Sequence, residues 1–183
     1  RLTSVEEARR IVLAQATTLG QERVRLEDGI GRVLAQDLIA EASLPPFDNS
    51  AMDGYAIQAG DTAGASRERP ITLRLVGEVA AGEVLDRPIS GGEAVTIMTG
   101  APLPPSADSV VALEEARVRG GFVEILTDVA LGRHVRHAGE DIKVGDVALA
   151  AGTRIQLQHV GLLASLGYAE VPVYRRPSVA VLA

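Results

Sequence analysis

The sequence predicts an α+β fold that is mostly β, and three patterns support this prediction. Near the start of the chain, Val5, Ala8 and Val12 recur at the spacing of a helix. From about residue 70 the pattern changes to period two, as in half-buried strands. Turns that contain Gly, Pro or Asp separate these short runs, which is typical of a small barrel or sandwich.

Composition limits what the chain can do. Of its 183 residues 46% are hydrophobic and 3% aromatic, so one or two domains with an aliphatic core are expected. The net charge is -6 and no Lys/Arg-rich block occurs, which argues against a nucleic-acid partner. The lack of cysteine excludes disulfides, thiolate metal sites and a cysteine nucleophile.

No apolar run approaches the roughly 20 residues that cross a bilayer, and no signal peptide is evident, so we expect a cytoplasmic protein with no membrane partner.

Local patterns assign the elements of the first 132 residues. Ser4 followed by Glu7 is typical of a capping box that begins a helix, and Gly20 marks its end. An extended stretch is predicted at 32–40, after which Pro45 and Pro46 interrupt the chain. The strand candidates that follow are 71–75, 94–98, 109–116 and 122–126.

After residue 132 the composition changes again. Segments 147–149 and 153–155 predict a hairpin around Gly152, and 156–166 predicts a helix ended by Gly167. A strand at 171–174 contains Pro172, which places it at a sheet edge. The apolar run 178–183 predicts a last strand.

The segment FDNSAMDGYA at 47–56 is the first candidate for chemistry. It holds four oxygen-bearing side chains within six positions, Asp48, Asn49, Ser50 and Asp53. Hard oxygen ligands suit Mg²⁺ or the handling of an oxyanion, and the small Ala51 and Gly54 would let the backbone approach a ligand. On the residues alone, an Asx-rich turn that satisfies its own backbone is the simpler interpretation.

A second candidate is VTIMTGAPLPP at 95–105, where Thr99 follows a predicted strand. Strand ends often present a hydroxyl to a ligand, but in isolation a plain strand terminus followed by a turn is the simpler interpretation.

The third candidate is RHVRHAGEDIKVGD at 133–146. Arg133 and Arg136 together could hold an anion, while the carboxylate of Asp141 binds a metal or orients an arginine. His134 and His137 have the spacing of some zinc ligands, but no third ligand is evident, so a solvated surface is the simpler interpretation.

Taken together, these stretches resemble the molybdopterin molybdenumtransferase family, which includes the bacterial MoeA proteins and the E domain of gephyrin. The resemblance is carried by PPFDNSAMDGYA at 45–56, VTIMTGAPLP at 95–104, GEDIKVGD at 139–146, AAGTR at 150–154 and LLASLGYAEVPVYRRP at 162–177. It covers nearly the whole chain in order, and the long ungapped motif FDNSAMDGYA is highly specific.

The resemblance implies a domain order. An N-terminal helix (1–21) precedes a small mixed linker domain built from 22–45 and 133–176. A β-rich, barrel- or sandwich-like domain at 46–132 is inserted between these halves. Residues 177–183 would begin a molybdopterin-binding domain, of which the sequence contains only the first strand.

The resemblance also implies an activity in molybdenum cofactor biosynthesis. Family members take adenylated molybdopterin (molybdopterin-AMP) and molybdate, release AMP in a Mg²⁺-dependent step, and leave molybdenum on the dithiolene. They work as homodimers and follow a molybdopterin-adenylating protein or domain in the pathway. This chain alone is expected to be inactive, because the family's pterin and metal residues lie in the domain that follows.

Residue by residue, the resemblance assigns catalytic roles to Asp53 in MDGYA, Thr99 in MTGAP and Asp141 in GEDI. We expect Arg136 and Ser50 to bind the cofactor, and no metal ligand is identified. In this scheme Asp53 organises a metal-bound water, Thr99 donates a hydrogen bond to an oxyanion, and Asp141 acts through Arg136.

Two alternatives remain open at this point. Relatives of the gephyrin type also use this fold as a scaffold, so a non-catalytic interaction module is the main alternative. A tungstate-specific paralogue is the other, because molybdate and tungstate are alike in size and charge.

Overall fold

The structure is a computed structural model that describes residues 3–80 and 82–181. In chain order its elements are α1 (Val5–Gln15), β1 (Gln21–Arg25), a 3-10 helix (Leu26–Gly29), β2 (Leu38–Ile39), β3 (Asn49–Ser50), β4 (Gly54–Ile57), a 3-10 helix (Ala59–Thr62), β5 (Ile71–Val79), β6 (Glu93–Ile97), β7 (Ser109–Ala112), a 3-10 helix (Leu113–Glu115), β8 (Ala116–Arg119), β9 (Phe122–Ile125), β10 (Val135–Arg136), β11 (Val147–Leu149), α2 (Leu157–Ser165) and β12 (Glu170–Tyr174). The predicted α+β, mostly β class is confirmed. In the part of the chain that is described, no helix is long and apolar enough to cross a bilayer.

The chain separates into two compact units. The first contains the described residues up to Glu41 and from Gly145 onward, and the second is Ala42–Val144. The resemblance implies that segments 42–45 and 133–144 belong to the linker domain, whereas here they lie in the second unit. The domain limits expected from the resemblance stay a prediction. Residues 175–181 form no helix or strand, and the rest of the predicted last strand, 182–183, lies outside the described residues.

Helix α1 begins as its sequence predicts, but it ends at Gln15 rather than at Gly20. The Ser4 Oγ accepts a hydrogen bond from the Glu7 backbone N–H (3.2 Å). The Glu7 carboxylate is bound by the Arg10 guanidinium (2.7 Å), so it supports the helix through a side-chain pair one turn along. None of the residues of α1 is buried.

The core of the first unit forms where α2 packs against the β1–β12 pair. Its fully buried aliphatic side chains are Leu34, Ile155, Leu163, Val171 and Val173. Helix α2 agrees with its prediction to within one residue at each end, and Gly167 follows it with the positive φ of 84° that a C-cap glycine allows.

The predicted hairpin between 147–149 and 153–155 is wrong. Strand β11 pairs antiparallel with β2 instead, with Val147 opposite Ile39. The turn after β11 is held to the chain near β2, because the Asp37 carboxylate accepts a hydrogen bond from the Ala151 N–H (2.6 Å). Arg154 then forms an isolated bridge with Val33 rather than with β11.

A six-stranded sheet forms most of the second unit, in the order β7-β4-β6-β5-β9-β8. All neighbours are antiparallel except β5 and β6, which are parallel. The strand predicted at 109–116 is in fact β7, followed by a 3-10 turn at Leu113–Glu115 and the start of β8.

This sheet must be strongly curled. Its edge strands β7 and β8 are joined by only three residues, so Ala112 and Ala116 lie at most about 15 Å apart. A flat sheet of six strands would separate its edges by about 24 Å. The inner face of the curl is lined by Tyr55, Ile57, Leu73, Ala94, Val111, Val123 and Ile125.

At Gly54, strand β4 and its neighbour β7 leave no room for a side chain. A Cβ placed there would lie 1.9 Å from the Val111 carbonyl oxygen, far inside van der Waals contact. The sequence had indicated that Gly54 makes room for a ligand, whereas its close neighbour in the structure is the backbone of β7.

We therefore predict that Gly54→Ala destabilises the chain by about 2 kcal/mol or more, because β4 and β7 must separate to admit the methyl group. Chemical denaturation of the purified chain measures this change. Gly60→Ala is the matched control, since a Cβ at Gly60 meets no atom within 4 Å. Equal stability of the two variants would contradict the prediction.

Candidate functional site

The three motifs meet at the short strand β3. On one side β3 pairs with β10, with Ser50 opposite Val135 and Asn49 opposite Arg136. On the other side the Ser50 N–H donates to the Ala101 carbonyl (3.0 Å), and the Ser50 carbonyl accepts from the Gly100 N–H (2.8 Å). The first motif is thus hydrogen-bonded along its backbone to both of the others.

The Ser50 side chain faces inward. Ser50 is 1% exposed, and its hydroxyl both donates to the Met52 carbonyl and accepts from the Met52 N–H (3.2 Å). These local bonds shape the turn that leads to Asp53. The expected contact between Ser50 and a cofactor stays a prediction, and the hydroxyl would have to leave this turn to make it.

Asp53 and Thr99 form the first side-chain pair of the site. The Asp53 Oδ1 accepts hydrogen bonds from the Thr99 N–H (2.7 Å) and from the Thr99 hydroxyl (2.7 Å). These donors, the backbone N–H first, hold the pKa of the Asp53 carboxyl below its usual range. The carboxylate is therefore ionised at neutral pH, and it remains exposed to solvent.

This geometry changes the expected role of Thr99. We had expected its hydroxyl to donate to an oxyanion, but its proton is directed at Asp53. Thr99 therefore orients the carboxylate through Oδ1, and among the described residues none hydrogen-bonds the other oxygen, Oδ2. That oxygen can accept a hydrogen bond from a water or a substrate.

Arg136 and Asp141 form the second pair, joined at 2.6 Å between the guanidinium and the carboxylate. The side chains are 43% and 56% exposed, so the pair contributes little to the stability of the fold, about 0–1 kcal/mol. A guanidinium has five N–H donors. The donors of Arg136 that Asp141 does not use can face an anionic ligand.

The two pairs are connected through β3 rather than by direct contact. No hydrogen bond or ion pair between them occurs in the described ranges 3–80 and 82–181. Arg133 is paired with Glu115 at 2.7 Å, and the joint binding of an anion by Arg133 and Arg136 stays a prediction. The two histidines also differ in their surroundings. His134 adopts a positive φ of 56°, whereas the His137 ring contacts the Asp48 carboxylate.

The described residues do not form a complete metal site. No group of three or more His, Cys, Asp or Glu side chains comes together in this part of the chain. Asp53 offers one oxygen, whereas Mg²⁺ is usually held by carboxylates together with waters or substrate phosphates. The expected Mg²⁺ therefore does not fit these residues alone.

Comparison with known proteins agrees with the three motifs. The family model described as MoeA N-terminal region (domain I and II) matches residues 3–167. The molybdopterin molybdenumtransferase of Bacillus subtilis (strain 168) is 41% identical over 166 residues, which are 88% of this chain and 39% of that protein. The enzyme of the same name from Staphylococcus aureus (strain Mu50 / ATCC 700699) is 37% identical over 179 residues, covering 98% of this chain and 43% of that protein.

Solved structures show the same likeness. The crystal structure of a molybdopterin biosynthesis moeA protein from Pyrococcus horikoshii OT3 has a TM-score of 0.89 and 38% sequence identity, covering 94% of this chain and 46% of that one. A second moeA structure has a TM-score of 0.81 at 35% identity. The chain spans less than half the length of the curated relatives and structures that it matches.

The Asp53–Thr99 geometry predicts how removal of the Thr99 hydroxyl changes the pKa of Asp53. Thr99→Val should raise the pKa of Asp53 but leave it below its usual range, because the larger cause is the Thr99 N–H, which the variant keeps. An NMR titration of the Asp53 carboxyl carbon measures this. Thr99→Ser retains the hydroxyl and should behave like the wild type, and a Val variant that titrates like the wild type would refute the prediction.

A dependence of stability on pH follows from the same carboxylate. The folded state lowers the pKa of Asp53, so the ionised group stabilises the fold above its unfolded pKa of about 3.9. This contribution is lost as the pH falls through the folded pKa. The difference in unfolding free energy between the wild type and Asp53→Asn should therefore shrink as the pH is lowered from about 6 to about 2. Denaturation curves across this range measure it, and a constant difference would contradict the assignment.

Proposed function

The chain belongs to the family of the MoeA N-terminal region, and from this premise we propose that it is the N-terminal part of a molybdopterin molybdenumtransferase. Such an enzyme acts in molybdenum cofactor biosynthesis, with molybdopterin and molybdate as substrates. The observation that carries the proposal is the attachment of both side-chain pairs, Asp53–Thr99 and Arg136–Asp141, to the one strand β3.

The chemistry of the two pairs suits an anionic substrate. The guanidinium of Arg136 offers N–H donors to molybdate or phosphate oxygens, and Asp141 fixes its orientation. The ionised Asp53 keeps one oxygen, Oδ2, available to orient a water. Thr99 positions that carboxylate through two hydrogen bonds.

We further propose that the pterin is taken as an adenylate and that AMP is released. The described residues bring no three metal ligands together, so the Mg²⁺ expected for this step needs further ligands from water, substrate or residues outside them. No step is assigned to the metal in this chain. The remainder of the site belongs, in this proposal, to a following domain, and the chain alone is inactive.

The proposed setting of the enzyme is a homodimer in the cytoplasm that receives its substrate from a molybdopterin-adenylating protein or domain. Support for a site completed by other residues comes from Asp53, Arg136 and Asp141, whose polar groups face solvent rather than the core of the second unit.

The test is molybdate-dependent maturation of an apo-molybdoenzyme by the full-length protein. Asp53→Asn keeps an oxygen for Thr99 but removes the charge, and we expect the rate to fall by about 100-fold or more. Asp61→Asn is the matched control, because the Asp61 carboxylate also accepts a backbone N–H, that of Gly92 (2.8 Å), but lies outside the site.

Three other outcomes are informative. A wild-type rate in Asp53→Asn would show that the site is placed wrongly. A wild-type protein that fails this assay but binds a partner peptide would support the scaffold alternative. Maturation with tungstate and not with molybdate would support the tungstate paralogue.

A further inference from the structure

A carboxylate outside the two pairs binds the loop that carries one of them. The Asp48 Oδ1 accepts a hydrogen bond from the Ala138 N–H (2.7 Å), and its Oδ2 lies 3.2 Å from the His137 Nδ1. Residues 137 and 138 lie between Arg136 and Asp141 in the chain. Asp48 thus contacts the loop midway between the two members of the ion pair.

The other anchors of this loop come after its midpoint. The Gly139 N–H donates to the Pro45 carbonyl and the Asp141 N–H to the Leu44 carbonyl, both at 2.9 Å. Before the midpoint, β10 ends at Arg136. Among the described residues, the Asp48 carboxylate is the side chain from outside the loop that binds 137 and 138.

We propose that Asp48 is a positioning residue for the Arg136–Asp141 pair. The inference rests on the function proposed above, in which Arg136 faces an anionic substrate. An exposed ion pair contributes too little to hold two side chains in one geometry by itself. By fixing the Ala138 amide and the His137 ring, Asp48 sets the turn across which the Arg136 guanidinium meets the Asp141 carboxylate.

The charges around Asp48 favour this role. The Ala138 N–H first, and then His137, lower the pKa of the Asp48 carboxyl, so it is ionised and accepts hydrogen bonds at neutral pH. The Glu140 carboxylate binds the His137 N–H (3.0 Å) from within the loop, and so it shares in the orientation of the same residue.

Loss of the Asp48 carboxylate is not expected to unfold the chain. The Asp48 and His137 side chains are 49% and 65% exposed, so water can replace the lost acceptor at the Ala138 N–H. The backbone bonds of Gly139 and Asp141 remain. A fall in activity can therefore be assigned to geometry once the fold of the variant has been checked by thermal denaturation.

In the full-length protein, Asp48→Ala should lower the maturation rate by about 10- to 100-fold. Asp48→Asn should recover most of the loss, because its amide oxygen can still accept the Ala138 N–H. Asp61→Ala is the matched control, since it loses a comparable bond to a backbone N–H at Gly92 and should keep its activity. Equal activity of Asp48→Ala and Asp61→Ala would overturn the proposal.

A double-mutant comparison separates positioning from an independent role. If Asp48 acts through the pair, Asp48→Ala should add little to the loss already caused by Asp141→Asn. Losses that multiply would overturn the proposal. A failure of the proposed function is recognised differently, because the wild-type protein itself would then fail the maturation assay.

Amide hydrogen exchange tests the positioning without reference to activity. Asp48→Ala should accelerate exchange at Ala138 and at its neighbours between 136 and 141, and Asp61→Ala should not. Unchanged exchange in this loop would overturn the role of Asp48, whatever the maturation assay shows.

Discussion

The short strand β3 is hydrogen-bonded on both of its sides, and the arrangement of the candidate site depends on these bonds: the Ser50 backbone bonds to Gly100 and Ala101, and the Ala51 N–H donates to the His134 carbonyl (2.9 Å). On one side lie Gly100 and Ala101, directly after Thr99, and on the other lies β10, which ends at Arg136. Because both neighbouring segments are held by β3 and the residue that follows it, the Asp53–Thr99 pair and the Arg136–Asp141 pair are attached to the same short stretch of backbone. The buried Ser50 hydroxyl shapes the turn to Asp53 within that stretch.

The packing of the curled sheet fixes the backbone on which Asp53 lies. Gly54 follows Asp53 directly, and its missing side chain lets the Val111 carbonyl approach β4. The Asp53 carbonyl itself accepts a hydrogen bond from the Leu113 N–H (3.2 Å), just beyond the end of β7. The backbone of Asp53 is thus fixed by strand packing, while its carboxylate points to solvent and to Thr99.

The polar groups of the site act through orientation more than through burial. Asp53 and Arg136 are each held by a partner, and each retains hydrogen-bonding capacity that its partner does not use. In the proposed function, further residues complete this set of groups. In the proposed role, Asp48 also acts by orientation, because it binds the loop between Arg136 and Asp141 through the Ala138 N–H.

Elements of secondary structure that depend on local chemistry could be predicted from the sequence alone. Helix α2 and the strands at 94–98 and 122–126 were found because periodicity and turn residues act over a few positions. Residue type and spacing also singled out the three motif segments, but the roles of their residues are what the family resemblance implies.

Which of these residues meet depends on the three-dimensional fold. Asp53 binds Thr99 across 46 positions, β11 pairs with β2 rather than with the segment after it, and Asp48 reaches Ala138 across 90 positions. The sequence likewise grouped Arg133 with Arg136, although Arg133 is bound by Glu115. Long-range partners follow from the register of whole strands, and register is set by the packing of the sheet as a unit, which no local pattern encodes.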